Sequence, residues 1–261
     1  ASNLVSGTTY TLTINGISDL AGNLMAAPQS FVFYYENNYM HKYEWKSPPQ
    51  IGSYQGLSIK NGGFSGLHYL AGTNNEYYII TDRGPNLDAN NNVHAIAMGG
   101  TGNSAKLFPL PSFNPQMIRF KAQGDSLVYI STKGIRRPDN SFTSGLALPT
   151  NQGGTGEIIL TDTAGNTAPP DAWGIDSEGL TAGNNYDYWV SEEYGVSVWN
   201  IDSTGKVIKR YTPWASFTGS QPQDVSIDTI FKTRNPNKGF EGVSFAPNGK
   251  VYGFLQNTIL Y

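Results

Sequence analysis

The sequence predicts an all-β protein, and three observations carry that reading. Aromatic residues make up 13% of the 261 residues and charged residues only 14%. Tyr, Phe, Val, Ile and Thr recur in short alternating runs, which fit a pleated, half-buried surface. The 30 Gly and 15 Pro residues cut the chain into short segments, and no long Ala/Leu/Glu/Lys stretch with helical periodicity occurs. At 38% hydrophobic, the chain can bury a core. Its length suits one large β domain or two smaller ones.

The first segment runs from Leu4 to Ile14, and the alternation of Tyr10, Leu12 and Ile14 in it reads as a half-buried strand. A polar turn, Ile17–Asn23, precedes a second strand at Phe31–Tyr35. The stretch "SGTTYTLTINGISDLAGNLM" followed by "SFVFYY" resembles the end of a bacterial Ig-like domain. Such a sandwich needs about seven strands, so residues 1–36 are expected to hold only its last strands. Residues 37–55, with Pro48-Pro49, read as a linker.

Residues 56–261 contain an internal repeat. One copy is Gly63-Phe64-Ser65-Gly66-Leu67, then Tyr77–Gly84. A second is Gly174–Leu180, then Tyr188–Gly195. A third is Gly239–Ser244, then Val251–Gln256. Each reads as two strands around a Gly/Asn turn, like the inner pair of a propeller blade. Two further hairpins are predicted as outer strands. One joins 116–120 to 127–131, the other 196–201 to 207–211.

The segments "GGFSGLHYL", "YYIITDRGPN", "FPLPSFNPQMIRF", "DAWGIDSEGL", "YWVSEEYGVSVWNIDSTGKVIKRY" and "KGFEGVSFAPNGKVYGFLQ" resemble, in order, the bacterial family named esterase-like activity of phytase. The resemblance implies a β-propeller and hydrolysis of phosphoesters or esters, aided by Ca²⁺. About 200 residues at roughly 40–50 per blade give four or five blades, so the propeller is expected to be partial. Its missing blades are expected beyond Tyr261.

Asp82, Asp176, Glu178, Glu192, Glu193 and Glu241 recur at similar points of the repeat. If the copies superpose around an axis, these acids converge on one mouth of a channel. Crowded carboxylates suit hard cations such as Ca²⁺, so Asp82, Asp176, Glu178 and Glu241 are candidate metal ligands. Glu178, Glu192, Glu193 and Glu241 are candidate catalytic acids, with Arg83 placed to hold a phosphate. The alternative is structural, the Glu-Gly turns tying blades together through backbone N–H groups. Glu192 and Glu193 are neighbours, so one of the two is expected to face the channel.

Asp88–Asn92 opens like a Ca²⁺ loop but lacks the Gly and Glu that complete one. It reads as a solvated loop. The histidines are His41, His68 and His94; none forms a ligand pair, and His68 reads as a buried structural residue. No G-x-S-x-G elbow or P-loop occurs, and the run Gln152–Gly156 reads as a loop.

With no cysteine, disulfides, zinc–thiolate sites and cysteine nucleophiles are excluded. The net charge of −3 and the absence of a basic cluster argue against nucleic acid. The apolar runs are too short to span a bilayer. The expected protein is bacterial, exported, and extracellular or on the cell surface. The expected function is Ca²⁺-assisted hydrolysis of a small phosphorylated substrate at the acidic channel. The competing expectation is a non-catalytic structural module that forms a homo-oligomer or filament through open strand edges.

Overall fold

The structure is a computed structural model that describes residues 4–19, 21–35, 42–89, 105–215 and 223–259. His41, His94 and Asn90–Asn92 lie outside these residues. The chain divides into two compact units, Ala1–Glu44 and Trp45–Tyr261.

In the first unit, β1 (Thr8–Ile14) pairs antiparallel with β2 (Gln29–Tyr35), with Tyr10 opposite Phe33 and Leu12 opposite Phe31. The predicted turn forms as expected. The Asp19 carboxylate accepts N–H bonds from Ala21 and Asn23, the local self-bonding that makes Asp a turn former. The half-buried face is incomplete, since Leu12 is 51% exposed. A two-stranded hairpin offers no second layer to cover it.

The second unit is all β, built from several sheets, none of which closes on itself among the described residues. One sheet orders β5 (Phe64–Tyr69), β6 (Glu76–Thr81), β9 (Gln116–Gln123) and β10 (Ser126–Gly134) from edge to edge. A second orders β13 (Ser177–Ala182), β14 (Tyr188–Glu192), β15 (Ser197–Ile201), β16 (Val207–Thr212) and β17 (Asp224–Ser226). Both predicted outer hairpins are therefore present. β18 (Phe240–Phe245) pairs with β19 (Val251–Leu255), and β3 (Gln50–Tyr54) with β4 (Leu57–Lys60).

The edge strands β5, β13 and β18 lie side by side, with β13 in the middle. Glycine permits this approach. A Cβ on Gly66 would stand 2.9 Å from Leu180 N, and one on Gly179 would stand 2.9 Å from Val243 N. Between the two large sheets lies a core of Tyr78, Ile80, Met117, Trp173, Leu180, Val190, Trp199 and Ile201. Each such side chain contributes about 1.5–3 kcal/mol when fully buried.

The hairpins share one geometry. In β5, β13 and β18 the register skips a residue, so Ser65, Glu178 and Glu241 occupy equivalent bulges. A bulge re-aims its side chain out of the regular alternation. Just past the second strand, the N–H groups of Asp82, Glu193 and Gln256 donate to the carbonyls of Gly63, Asp176 and Gly239. The β3–β4 hairpin repeats both features, with Ile51 at the bulge and Asn61 N–H donating to Pro49 O. The stretch expected as a linker therefore carries the first strand of a further copy at 50–54. The sequence hid it because the bulge holds Ile rather than a polar residue.

A fifth sheet of this unit comes from two long connections. It orders β7 (Leu87–Asp88), β8 (Ala105–Leu107), β11 (Ile158–Leu160) and β12 (Thr167–Ala168), with β8 and β11 parallel. Leu107 and Leu160 pack together with Tyr54. This pairing brings the residue before β11, Glu157, to the end of β6.

Candidate functional site

The bulges and the residues after the second strands place the acids. Asp82, Asp176 and Glu178 each offer an oxygen within 4.8 Å of the others. Asp176 is 7% exposed and its Oδ1 has no hydrogen-bond partner. Its Oδ2 lies 3.7 Å from Arg83 Nη1. Burial pushes this carboxyl well above the usual range; Arg83 pulls it down, and Asp82 and Glu178 push it further up. A buried carboxylate oxygen without a partner is costly unless something positive meets it.

Glu178 continues the acidic surface. Burial, then Glu241 and Asp82, push it up to about 7 against a hydrogen bond from Ser65. Glu193 follows, pushed up to about 8 by burial, then Glu241 and Glu178, while Lys238 opposes. Glu241 stands electrostatically between Glu178 and Glu193 but lies outside the triad of closely grouped oxygens.

Two expected site residues have other partners. Arg83 is 3% exposed. Its Nε donates to Gly145 O at 3.0 Å and its Nη2 to Glu157 Oε1 at 2.9 Å. The rings of Phe108 and Tyr194 flank the guanidinium at 4.8 and 4.5 Å. Burial opposes its charge, yet Asp176 and Glu157 outweigh burial and hold it above its ordinary value. Arg83 is thus buried, with its Nη1 3.7 Å from Asp176 Oδ2.

Glu192 is fully buried and accepts from Tyr194 N at 2.9 Å, Gly195 N at 2.7 Å and Ser197 Oγ at 3.0 Å. It ties the tight turn after β14, where Val196 adopts φ 48°. Of the adjacent pair, Glu193 is the one raised chiefly, after burial, by Glu241 and Glu178.

Sequence reasoning missed Glu157 and Tyr194. Glu157 is 8% exposed, and Tyr194 Oη donates to its Oε2 at 3.1 Å. The parallel pairing of β8 and β11 is what delivers Glu157, and neither short strand announces that pairing. His68 sits in β5, where its Nδ1 accepts from Ala182 N of β13 at 3.4 Å, a structural place between strands. Asp88 lies 3.6 Å from Lys106 Nζ. The run 152–156 is a close-packed loop, with Gly153 O accepting from Arg234 Nη2 at 2.8 Å.

The donor set fits a hard divalent cation. The triad contains oxygen ligands alone, and carboxylates outnumber the neighbouring cations Arg83, Arg234 and Lys238. Ca²⁺ or Mg²⁺ suit such a set; zinc sites built on His and Cys do not resemble it.

Residues 59–260 match the family model for esterase-like activity of phytase. The chain belongs to that phytase-like family. Among curated proteins, this phytase-like chain is similar to an uncharacterized secreted protein of Arthroderma benhamiae (strain ATCC MYA-4681 / CBS 112371). The two are 29% identical over 102 residues, covering 33% of this chain and 20% of that relative's length. No described helix is long and apolar enough to cross a membrane.

Proposed function

We propose that this phytase-like chain is a secreted phosphoester hydrolase that works with a divalent cation, Ca²⁺ by the donor chemistry, at Asp82, Asp176 and Glu178. The observation that carries the reading is the buried, partnerless Oδ1 of Asp176 inside a triad of carboxylates. When bound, the cation supplies charge screening for an anionic ester and acidifies water at the site. Arg83 and Glu157 hold Asp176 in place from the buried side. Glu193 and Glu241, beside the triad, are the groups that can carry a proton to or from the leaving oxygen.

The sheets of the second unit are read as blades of a β-propeller, and β1–β2 as strands of an Ig-like sandwich. The secreted relative supports an extracellular location. Release of phosphate from a phosphomonoester, measured with Ca²⁺ and after chelation, tests the proposal. Ca²⁺-dependent release that Asp176→Asn abolishes is expected. No release at any metal concentration overturns the hydrolase reading.

One observation favours a second reading, a structural module that associates through strand edges. Among the described residues, β19 is bonded on one side only, and Phe254 on it is 59% exposed. Such an edge is a template for another strand. A monomer at all concentrations in sedimentation would count against this reading.

A further inference from the structure

Asn-Gly occurs three times in the chain, at Asn15-Gly16, Asn61-Gly62 and Asn248-Gly249. This dipeptide is self-reactive. The glycine nitrogen is a nucleophile, the Asn side-chain amide carbon is an electrophile, and glycine has no side chain to hinder their approach. Reaction requires that the glycine N–H be free of hydrogen bonds and that the Asn side chain can swing onto it. The fold meets both requirements at one of the three sites.

Asn248-Gly249 lies in the turn between β18 and β19. Gly249 N–H donates to Ala246 O at 2.9 Å, and Asn248 Oδ1 accepts from Lys250 N at 3.1 Å. Nucleophile and electrophile are both held. Asn61 follows β4 and is 8% exposed. Its N–H donates to Pro49 O at 2.8 Å, and its Oδ1 accepts from Gln116 Nε2 at 3.4 Å. It must wait for a local opening before it reacts. Asn15 and Gly16, in contrast, are both exposed. The β1–β2 ladder ends at Ile14 opposite Gln29, and bonding resumes with Ile17 O, which accepts from Met25 N. Among the described residues, neither the Gly16 N–H nor the Asn15 side chain has a hydrogen-bond partner. No atom stands within 4 Å of the place a Gly16 Cβ would take.

We propose that Asn15 is a site of spontaneous deamidation, the one Asn-Gly pair that the folded chain leaves reactive. The Gly16 nitrogen bonds to Asn15 Cγ and gives up its proton, the Cγ–Nδ2 bond breaks, and ammonia leaves. A cyclic imide remains, which one water opens. Opening at Cγ leaves an aspartate. Opening at the main-chain carbonyl leaves an isoaspartate, whose backbone runs through the side chain and is longer by one carbon. Either product takes the net charge from −3 to −4. Isoaspartate also lengthens the span between the end of β1 and the Ser18–Leu24 bridge, which loosens the hairpin. The inference is independent of the hydrolase reading.

The 261-residue chain is aged at mildly alkaline pH, folded and in denaturant, then digested and mapped by mass spectrometry. In denaturant the three sites are expected to react at similar rates, because the dipeptide is the same. In the folded chain Asn15 is expected to keep its rate, while Asn248 slows by about two- to tenfold, the weight of one hydrogen bond, and Asn61 slows further. Isoelectric focusing of the aged folded chain should show an acidic species that Asn15→Gln, at an exposed position, removes without changing the melting temperature. Folding that protects Asn15 as strongly as Asn248, or an acidic species that persists undiminished in Asn15→Gln, overturns the inference.

Discussion

Replacing Arg83 by Met separates a brace from a substrate contact. The guanidinium is 3% exposed and is held by Gly145 O, Glu157 and Asp176 between two aromatic rings. Met fills much of the same space but strands two buried carboxylates. Breaking a buried pair in this way costs about 3–5 kcal/mol. At about 2–4 °C per kcal/mol for a unit of this size, the melting temperature should fall by about 6–20 °C. The loss should shrink at acid pH, where Asp176, whose carboxyl burial pushes upward, takes up a proton. Adding Glu157→Gln should recover part of it, because one stranded charge is removed while Tyr194 keeps an acceptor. Thermal denaturation followed by circular dichroism at pH 5 and pH 8 reads all three effects. A wild-type melting temperature combined with a raised KM for a phosphate ester would refute the reasoning, since Arg83 would then be contacting substrate.

Glu178 and Glu193 are held at about 7 and about 8, above their ordinary 4.5. The folded state therefore binds their protons more tightly than the unfolded state does. Their contribution is fully favourable below pH 4.5 and is lost as pH rises through 7 and 8. In chelator, melting temperature should fall from pH 5 to pH 8, and Ca²⁺ should flatten the decline; a rise with pH in chelator contradicts this. Glu192→Gln should cost about 1–3 kcal/mol, because one of the N–H groups it satisfies is left without an acceptor, yet leave Ca²⁺ affinity unchanged. Lost Ca²⁺ affinity in a folded Glu192→Gln protein would place Glu192 at the cation instead.

Much of the fold was legible because strand alternation and Gly/Asn turns are local signals. Tyr77–Thr81, Tyr188–Glu192 and Val251–Leu255 form the strands that their patterns predict. The convergence of Asp82, Asp176 and Glu178 was legible from the repeat alone. The roles of Arg83 and Glu192 were not, because sequence shows which charges are near one another along the chain and not which are buried. Glu157 arrives through a parallel pairing of two three-residue strands, too short to leave a pattern. The first hairpin escaped because its bulge carries Ile51 where later copies carry Ser65, Glu178 and Glu241. The signal that could have found it was the Gly after each of those residues, Gly52, Gly66, Gly179 and Gly242.

The central claim is that Asp82, Asp176 and Glu178 form a cation site. Calorimetric titration of Ca²⁺ into the chelator-stripped chain, beside Asp176→Asn, tests it most directly. One site in the wild type is predicted, weakened at least about tenfold when a ligand charge is removed. No binding by the wild type, or equal binding by both proteins, would contradict it.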